Sequence, residues 1–135
     1  MIIHFNNSDN ADLWLADPNE AQIPDAINAL DGIIKLMVIL NALEGLLFIH
    51  CGTQLRMHVS YATDRVRAYL TDESETSVQM LEFTHGNGQI DDWPLRDTIS
   101  KEQALEVALH FFRKRTFPKG FHWVGDADSV PVVSD

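Results

Sequence analysis

The chain contains 135 residues, of which 45% are hydrophobic and 22% are charged. This length is typical of one domain whose core needs neither a metal nor a disulfide, and the composition excludes a wholly disordered protein. Aspartate and glutamate outnumber lysine and arginine by 20 to 10, so the net charge is −10. Such a charge disfavours direct binding to DNA or RNA and favours a basic protein partner.

The most hydrophobic stretch, residues 33–49, is interrupted by Lys35, Asn41 and Glu44. Each of these side chains would be costly in lipid, so the stretch is not expected to span a membrane. The first ten residues lack the basic segment and the apolar run of a secretory signal. Cys51 is the only cysteine, which fits a reducing compartment. We therefore expect a cytoplasmic protein without a membrane partner.

The amino-terminal part of the chain predicts a strand followed by a helix. Residues 2–5 are mainly apolar and end at a cluster of asparagine, serine and aspartate, whose side chains favour a turn. Pro24 and Asp25 suit the first turn of a helix, and the apolar residues that follow recur at helical spacing. Asp31 and Gly32 are expected to end this helix.

The apolar run at residues 33–49 is compatible with two structures. A short continuous apolar run fits either a buried strand or a buried helix, because periodicity alone does not separate them. We favour a strand at 36–40, a turn at 43–45 and a second strand at 46–50. One helix from Pro24 to about Leu43 is the alternative.

The middle of the chain predicts an antiparallel meander. Apolar and polar residues alternate in 55–61 and again in 66–70, with the period of half-buried strands. A polar acidic loop at 72–75 separates them from a third strand at 78–84. The glycines of the segment 86–88 suit the tight turn that closes this strand.

The last helix has the clearest boundaries in the sequence. Ser100 and Gln103 form the pattern of a capping box, and basic residues at 113–115 complement the carboxyl end of the helix dipole. Its apolar face is predicted to comprise Ala104, Leu105, Ala108, Leu109 and Phe112. An edge strand is expected at 121–124, followed by an acidic, frayed tail at 126–135.

Together these elements predict an α+β fold for a single domain at residues 1–125. The expected architecture is a twisted antiparallel meander of about five or six strands. A long carboxyl-terminal helix and one or more amino-terminal helices are expected to pack on this sheet.

The sequence contains six histidines but no catalytic or metal-binding motif. His50 and Cys51 are adjacent in a predicted strand, so their side chains should point to opposite faces. Asp91 and Asp92 form a possible acid–base pair, but no nucleophile or phosphate-binding loop accompanies them. We expect no catalytic residue, no metal and no cofactor.

Acidic residues in two predicted loops form the most suggestive group. The loops could converge at one end of the sheet, and a tryptophan beside the second loop could contact a partner. We predict a protein-binding site that comprises Asp72, Glu73, Glu75, Asp91, Asp92 and Trp93.

The carboxyl half of the chain resembles the Imm1 family of bacterial immunity proteins. The resemblance rests on Trp93-Pro94, the capped helix start at 99–105, the aromatic pair Phe111-Phe112 and the segment 118–123. The preceding meander and early helix follow in similar order, so the resemblance covers about residues 24–124. The chain departs from the family where a glycine often precedes the proline turn, because Arg115-Thr116-Phe117 stands there.

The resemblance implies an antitoxin of a polymorphic or contact-dependent toxin system. Such a protein has no reaction of its own and binds a cognate toxin domain, for example a nucleic-acid deaminase or nuclease, over its active site or substrate groove. Two other functions stay open. One is a small α+β enzyme, which requires a pocket that brings His58 or His85 near a carboxylate; the other is a general protein-interaction module.

Overall fold

The computed structural model describes residues 1–9 and 12–133. Within these ranges the protein has nine strands, two α-helices and three short 3-10 turns. The strands are β1 (Ile2–Asn7), β2 (Asp12–Ala16), β3 (Lys35–Ala42), β4 (Gly45–Cys51), β5 (Met57–Ala62), β6 (Arg67–Thr71), β7 (Met80–Thr84), β8 (Ile90–Pro94) and β9 (His122–Gly125). The helices are α1 (Gln22–Asn28) and α2 (Lys101–Lys114). The predicted α+β class with an antiparallel sheet is therefore confirmed.

Seven strands form one antiparallel sheet in the order β2-β1-β3-β4-β5-β6-β9. Strands β7 and β8 form a separate two-stranded hairpin, which we call the β7–β8 hairpin. The ambiguous apolar run is the strand pair β3–β4, as favoured from the sequence. Its side chains are buried on one face and half-buried on the other, which explains why it does not alternate between apolar and polar residues.

Both helices pack on one face of the large sheet, which we call the helix face. The core between them includes Val38 and Ile49 from the sheet, Ile27 from α1 and Phe111 from α2. The predicted capping box is present, because Gln103 N donates to Ser100 Oγ at 3.1 Å and Ser100 N donates to Gln103 Oε1 at 3.0 Å. No described helix is long and apolar enough to cross a membrane.

The predicted apolar face of α2 is shifted from the face that the structure buries. Its fully buried residues are Ala104, Val107, Ala108 and Phe111. Leu105, Leu109 and Phe112 are only half-buried at the side of the core. The small side chains of Ala104 and Ala108 let the helix approach the sheet, and Phe111 stacks on Phe117 with ring centroids 5.3 Å apart. The predicted face is therefore right at Ala104 and Ala108 and wrong at Leu105, Leu109 and Phe112.

The predicted numbers and lengths of the elements are also corrected. The large sheet has seven strands rather than five or six, because β2 adds an edge strand beside β1. The predicted third strand of the meander, residues 78–84, does not belong to this sheet, because it is β7 and pairs with β8. Of the predicted amino-terminal helices, the described residues contain one, α1, and it has only seven residues. The predicted long carboxyl-terminal helix is α2, which has 14 residues. The prediction that Asp91 and Asp92 lie in a second acidic loop is wrong, because both residues lie within strand β8.

The predicted frayed tail is wrong for residues 126–133. Asp126 Oδ2 accepts a hydrogen bond from Arg67 N at 2.9 Å, and Val130 is buried in the core. Farther on, Phe117 N donates to Pro131 O and Val133 N donates to Phe117 O. These bonds hold the segment beside the loop after α2. Ser134 and Asp135 lie outside the described residues.

Candidate protein-binding face

The face of the large sheet opposite the helices carries a row of side chains that crosses all seven strands. Cross-strand partners in an antiparallel sheet lie on the same face, so the register defines the row. From one edge to the other it consists of Trp14, His4, Ile39, Phe48, Ser60, Tyr69 and Val124. Trp14 is 59% exposed and the other six are half-buried. We call this row the open face.

The β7–β8 hairpin covers the neighbouring row on the same side of the sheet. That row consists of Asn6, Met37, His50 and His58. Gly86 N donates to Asn6 Oδ1 at 3.1 Å, and His50 Nε2 donates to Thr84 O at 2.8 Å. The hairpin therefore lies across strands β1 to β5 and leaves the open face beside it.

Phe83 fills the space between the β7–β8 hairpin and the sheet. Its ring is fully buried and meets the ring of His50 edge-on at 5.3 Å. A Cβ atom at Gly52 would lie 2.5 Å from Phe83 Cε1, so the absence of a side chain there permits this close packing. The hairpin thus has its own apolar contact with the sheet.

A groove of about 500 Å³ lies where the β7–β8 hairpin meets the open face. Trp93 stacks on His58 at one end of this groove, and the ring centroids of Trp93 and Tyr69 are 5.5 Å apart. The groove is largely apolar, since its lining includes Leu46, Phe48, Ala62, Tyr69 and Trp93. This apolar lining suits apolar side chains of a partner protein better than a charged ligand.

The two histidines under the β7–β8 hairpin are held in the neutral form. Burial lowers the pKa of His50 to about 4, although the hydrogen bond to Thr84 O opposes this shift. Burial also lowers the pKa of His58, whose Nδ1 donates to Asp97 O at 3.0 Å. Both side chains therefore act as neutral donors to backbone carbonyls at neutral pH.

His85 and Asp91 form a hydrogen-bonded pair at the end of the hairpin. His85 Nε2 and Asp91 Oδ2 are 2.6 Å apart, and the ring centroids of His85 and His50 are 4.7 Å apart. This pair places a histidine near a carboxylate, as the enzyme alternative requires, but neither residue lines the groove of about 500 Å³. Within the described residues no hydroxyl or thiol hydrogen-bonds to it, and no three potential metal ligands cluster.

Cys51 is remote from this pair because it points toward the helix face. Its side chain is fully buried in the core, whereas His50 lies under the β7–β8 hairpin. Burial raises the pKa of the Cys51 thiol to about 11. The expected opposite orientation of His50 and Cys51 is confirmed, and the protonated thiol is a poor nucleophile.

The outer side of the β7–β8 hairpin carries two carboxylates directly opposite each other. Glu82 and Asp92 are cross-strand partners, and both are exposed. Met80 and Ile90, each 54% exposed, flank them on this side. Neither carboxylate forms a salt bridge in the part of the chain that the structure describes. Like charges in this arrangement destabilise a hairpin.

The other predicted acidic group, Asp72, Glu73 and Glu75, lies in the loop after β6. Asp72 Oδ1 accepts from Ser74 N at 3.0 Å, and Glu73 Oε1 lies 2.5 Å from His122 Nδ1. The loop meets the segment after β8, because Asp72 N donates to Arg96 O at 2.6 Å. No hydrogen bond or ion pair of the described residues joins this group to Asp91 or Asp92.

The three predicted site residues of strand β8 therefore do not share one exposed surface. Asp92 is exposed, Asp91 is bound to His85, and Trp93 is half-buried against His58. Sequence reasoning missed the open face, although β3 and β4 are apolar on both sides and only one side is covered by helices. That excess of apolar residues was the sequence signal that could have predicted the open face.

The chain matches no protein-family model, no curated protein and no solved structure.

Proposed function

We propose that this protein is an immunity protein that binds a basic toxin domain and has no reaction of its own. The toxin domain docks in the cytoplasm on the side of the sheet that lacks helices. It contacts the open face and the outer side of the β7–β8 hairpin. The observation that carries the proposal is the row of seven side chains left open beside Glu82 and Asp92, which form no salt bridge within the described residues.

The apolar part of the proposed interface is the open face with its groove. Ile39, Phe48 and Tyr69 are half-buried in the isolated chain, and the groove offers about 500 Å³ at their border with Trp93. A contiguous apolar surface rimmed by polar residues is typical of a protein-binding site. Aromatic residues also contribute disproportionately to binding energy.

The acidic part of the proposed interface lies on and around the β7–β8 hairpin. Between Arg67 and Arg96 the chain contains six aspartates and glutamates but no lysine or arginine. Glu82 and Asp92 destabilise each other, so their position is better explained by a cationic partner than by stability. Asp72, Glu73 and Glu75 add to the same field and increase the association rate.

The resemblance to the Imm1 family supports the nature of the partner. It suggests a toxin that acts on nucleic acid, such as a deaminase or nuclease, and a domain that grips nucleic acid is commonly basic. The −10 charge of this chain complements such a surface. In the proposal Asp92 and Trp93 contact the toxin, and Asp91 holds the end of the hairpin through His85.

A second candidate function is a small hydrolase, which only the His85–Asp91 pair favours. The carboxylate could orient the imidazole as a general base for water. The two candidates respond differently to one variant. His85→Asn would abolish hydrolysis, whereas growth protection by an immunity protein would fall by less than about threefold, because the asparagine amide can still donate to Asp91 and hold the end of the hairpin.

The proposal is tested by one substitution made at two positions. Ile39→Lys places a cation in the middle of the open face, whereas Ile33→Lys places it in the exposed loop before β3. Each variant is expressed with the toxin domain encoded beside the gene, and growth and binding are measured. We expect Ile33→Lys to protect like the wild type and Ile39→Lys to bind at least about 100-fold more weakly.

Two results would contradict this proposal in different ways. If the wild-type protein neither binds the toxin domain nor protects cells, the protein is not its immunity protein. If Ile39→Lys is folded, as judged by circular dichroism, and binds like the wild type, the open face is not the interface.

A further inference from the structure

Strand β2 forms one edge of the seven-stranded sheet. Asp17 N donates to Met1 O at 3.0 Å, and Leu15 and Leu13 are the register partners of Ile3 and Phe5. Backbone bonding alternates along an antiparallel pair, so the backbone groups of alternate residues point away from the sheet. These residues are Asp12, Trp14 and Ala16, and no described strand lies on the side to which their backbone groups point.

This edge has little of the usual protection against strand addition. Edge strands are commonly blunted by charged side chains, proline or a bulge, whereas the five residues Asp-Leu-Trp-Leu-Ala of β2 contain one charge, at Asp12, and keep an unbroken register with β1. Leu13 and Trp14 are 55% and 59% exposed and lie on opposite faces of the strand. An added strand would therefore find backbone partners and an apolar contact on each face.

The two faces of β2 favour different side chains in such a strand. On the helix face Leu13 borders an apolar pocket of about 200 Å³, which Phe5, Ala26 and Leu30 also line. A branched aliphatic side chain fits this surface. On the other face Trp14 stacks on His4, and His4 Nε2 lies 2.8 Å from Asp12 Oδ1. An indole beside a carboxylate suits a lysine or arginine.

The surrounding charge selects a basic strand over a second copy of this chain. The first 35 residues contain six aspartates and glutamates and one cation, Lys35, which lies at the pocket beside Leu13. Two copies joined at β2 would bring two such acidic segments together, and each copy carries a net charge of −10. Electrostatic repulsion therefore opposes the symmetric pairing, whereas a cationic segment is attracted.

We propose that β2 binds an extended segment of a basic protein as an eighth strand of the sheet. The segment alternates lysine or arginine, placed over Trp14 and Asp12, with valine, isoleucine or leucine, placed over Leu13 and its pocket. Backbone hydrogen bonds would supply affinity and the alternation would supply specificity. This inference does not rest on the toxin proposal, because the edge and the open face share only Trp14 and His4.

The inference is tested with a ten-residue blocked peptide in which lysine and valine alternate. A peptide of the same composition with the two residues in separate blocks is the control. We expect the alternating peptide to bind, to shift the amide resonances of β2 and to slow hydrogen exchange of the Trp14 amide. The block peptide should bind at least about tenfold more weakly, because it does not match the two faces.

A backbone variant separates strand addition from simple charge attraction. Ala16→Pro removes an outward-pointing N–H without removing a bond to β1, and Ala16→Thr keeps that N–H. We expect Ala16→Pro to weaken peptide binding about tenfold and Ala16→Thr to change it less than about twofold. If Ala16→Pro does not fold, Asp12→Lys compared with Asp128→Lys replaces it, and only Asp12→Lys should weaken binding.

The inference is overturned if both peptides bind equally or if neither binds. It is also overturned if the protected amides lie outside β2, or if Ala16→Pro is folded and binds the peptide like the wild type. A dimer in sedimentation velocity that Ala16→Pro dissociates would show instead that the edge pairs with a second copy.

Discussion

The indole ring of Trp93 stacks on the imidazole ring of His58, with centroids 3.9 Å apart and planes inclined by 15°. This contact joins the second strand of the β7–β8 hairpin to the centre of the large sheet. The same indole also lines the groove beside the open face. Trp93 therefore contributes to the position of the hairpin as well as to the surface proposed to bind a partner.

Replacement of Trp93 should weaken the fold as well as binding. We expect Trp93→Ala to lower the free energy of unfolding by about 1–3 kcal/mol, because a half-buried ring and its stacking contact are lost. Trp14→Ala removes an indole that is 59% exposed, and it should cost less than about 1 kcal/mol. Urea unfolding measures both values. Equal losses would mean that Trp93 does not hold the hairpin.

The stability of the protein should fall as the pH decreases from about 6.5 to 4. Burial keeps the pKa of His50 at about 4 in the folded state, below the value of 6.5 expected after unfolding. The unfolded state therefore binds more protons in this range, and stability rises with pH. His50 contributes a slope of up to about 1.4 kcal/mol per pH unit, and His58 acts in the same direction.

The variant His50→Gln isolates this pH effect, because its amide nitrogen can replace the donor to Thr84 O but does not titrate. We expect a shallower dependence of the unfolding free energy on pH for the variant between pH 6.5 and 4. The lowered pKa of Asp31, caused mainly by the backbone amide of Ile33, acts only below about pH 4. An unchanged slope would contradict the neutral, buried state of His50.

Removal of one charge on the outer side of the β7–β8 hairpin should stabilise the protein and weaken association. Glu82→Gln relieves repulsion from Asp92 and should raise the unfolding free energy by about 0.2–1 kcal/mol. It should also slow association with a basic toxin domain, with a smaller effect at high salt. Glu106→Gln on the exposed side of α2 is the control for stopped-flow measurements. Equal association rates of the two variants would argue against the hairpin as part of the interface.

The buried face of α2 gives a direct test of its packing. Phe111 is fully buried against Phe117 and Tyr61, so Phe111→Ala should cost about 3–5 kcal/mol. Leu109 is half-buried at the side of the core, and Leu109→Ala should cost less than about 2 kcal/mol. Denaturant unfolding of both variants measures the difference. A larger loss for Leu109→Ala than for Phe111→Ala would mean that α2 buries the apolar side predicted from the sequence.

Elements with a strong local signal could be predicted from the sequence alone. The capping box at Ser100 and Gln103 and the edge strand β9 follow from neighbouring residues, whereas the hairpin β3–β4 was only favoured over a helix. Strand β8 gave no such signal, because only Asp91 and Trp93 of its central residues point toward the sheet and one of them is charged. Its polar sequence therefore looked like a turn.

The sequence by itself determined the α+β class, the acidic charge and a continuous apolar run at residues 33–49, which became the strand pair β3–β4. Only the tertiary structure decided which side of that pair remains open, because coverage depends on elements that are distant in the chain. The helices cover one face except at the edge strand β2, where Leu13 is exposed, whereas the β7–β8 hairpin covers a single row of the other. Asp91 and Asp92 illustrate the same limit. They are adjacent in sequence, but the pleat of β8 directs Asp91 to His85 and leaves Asp92 exposed opposite Glu82.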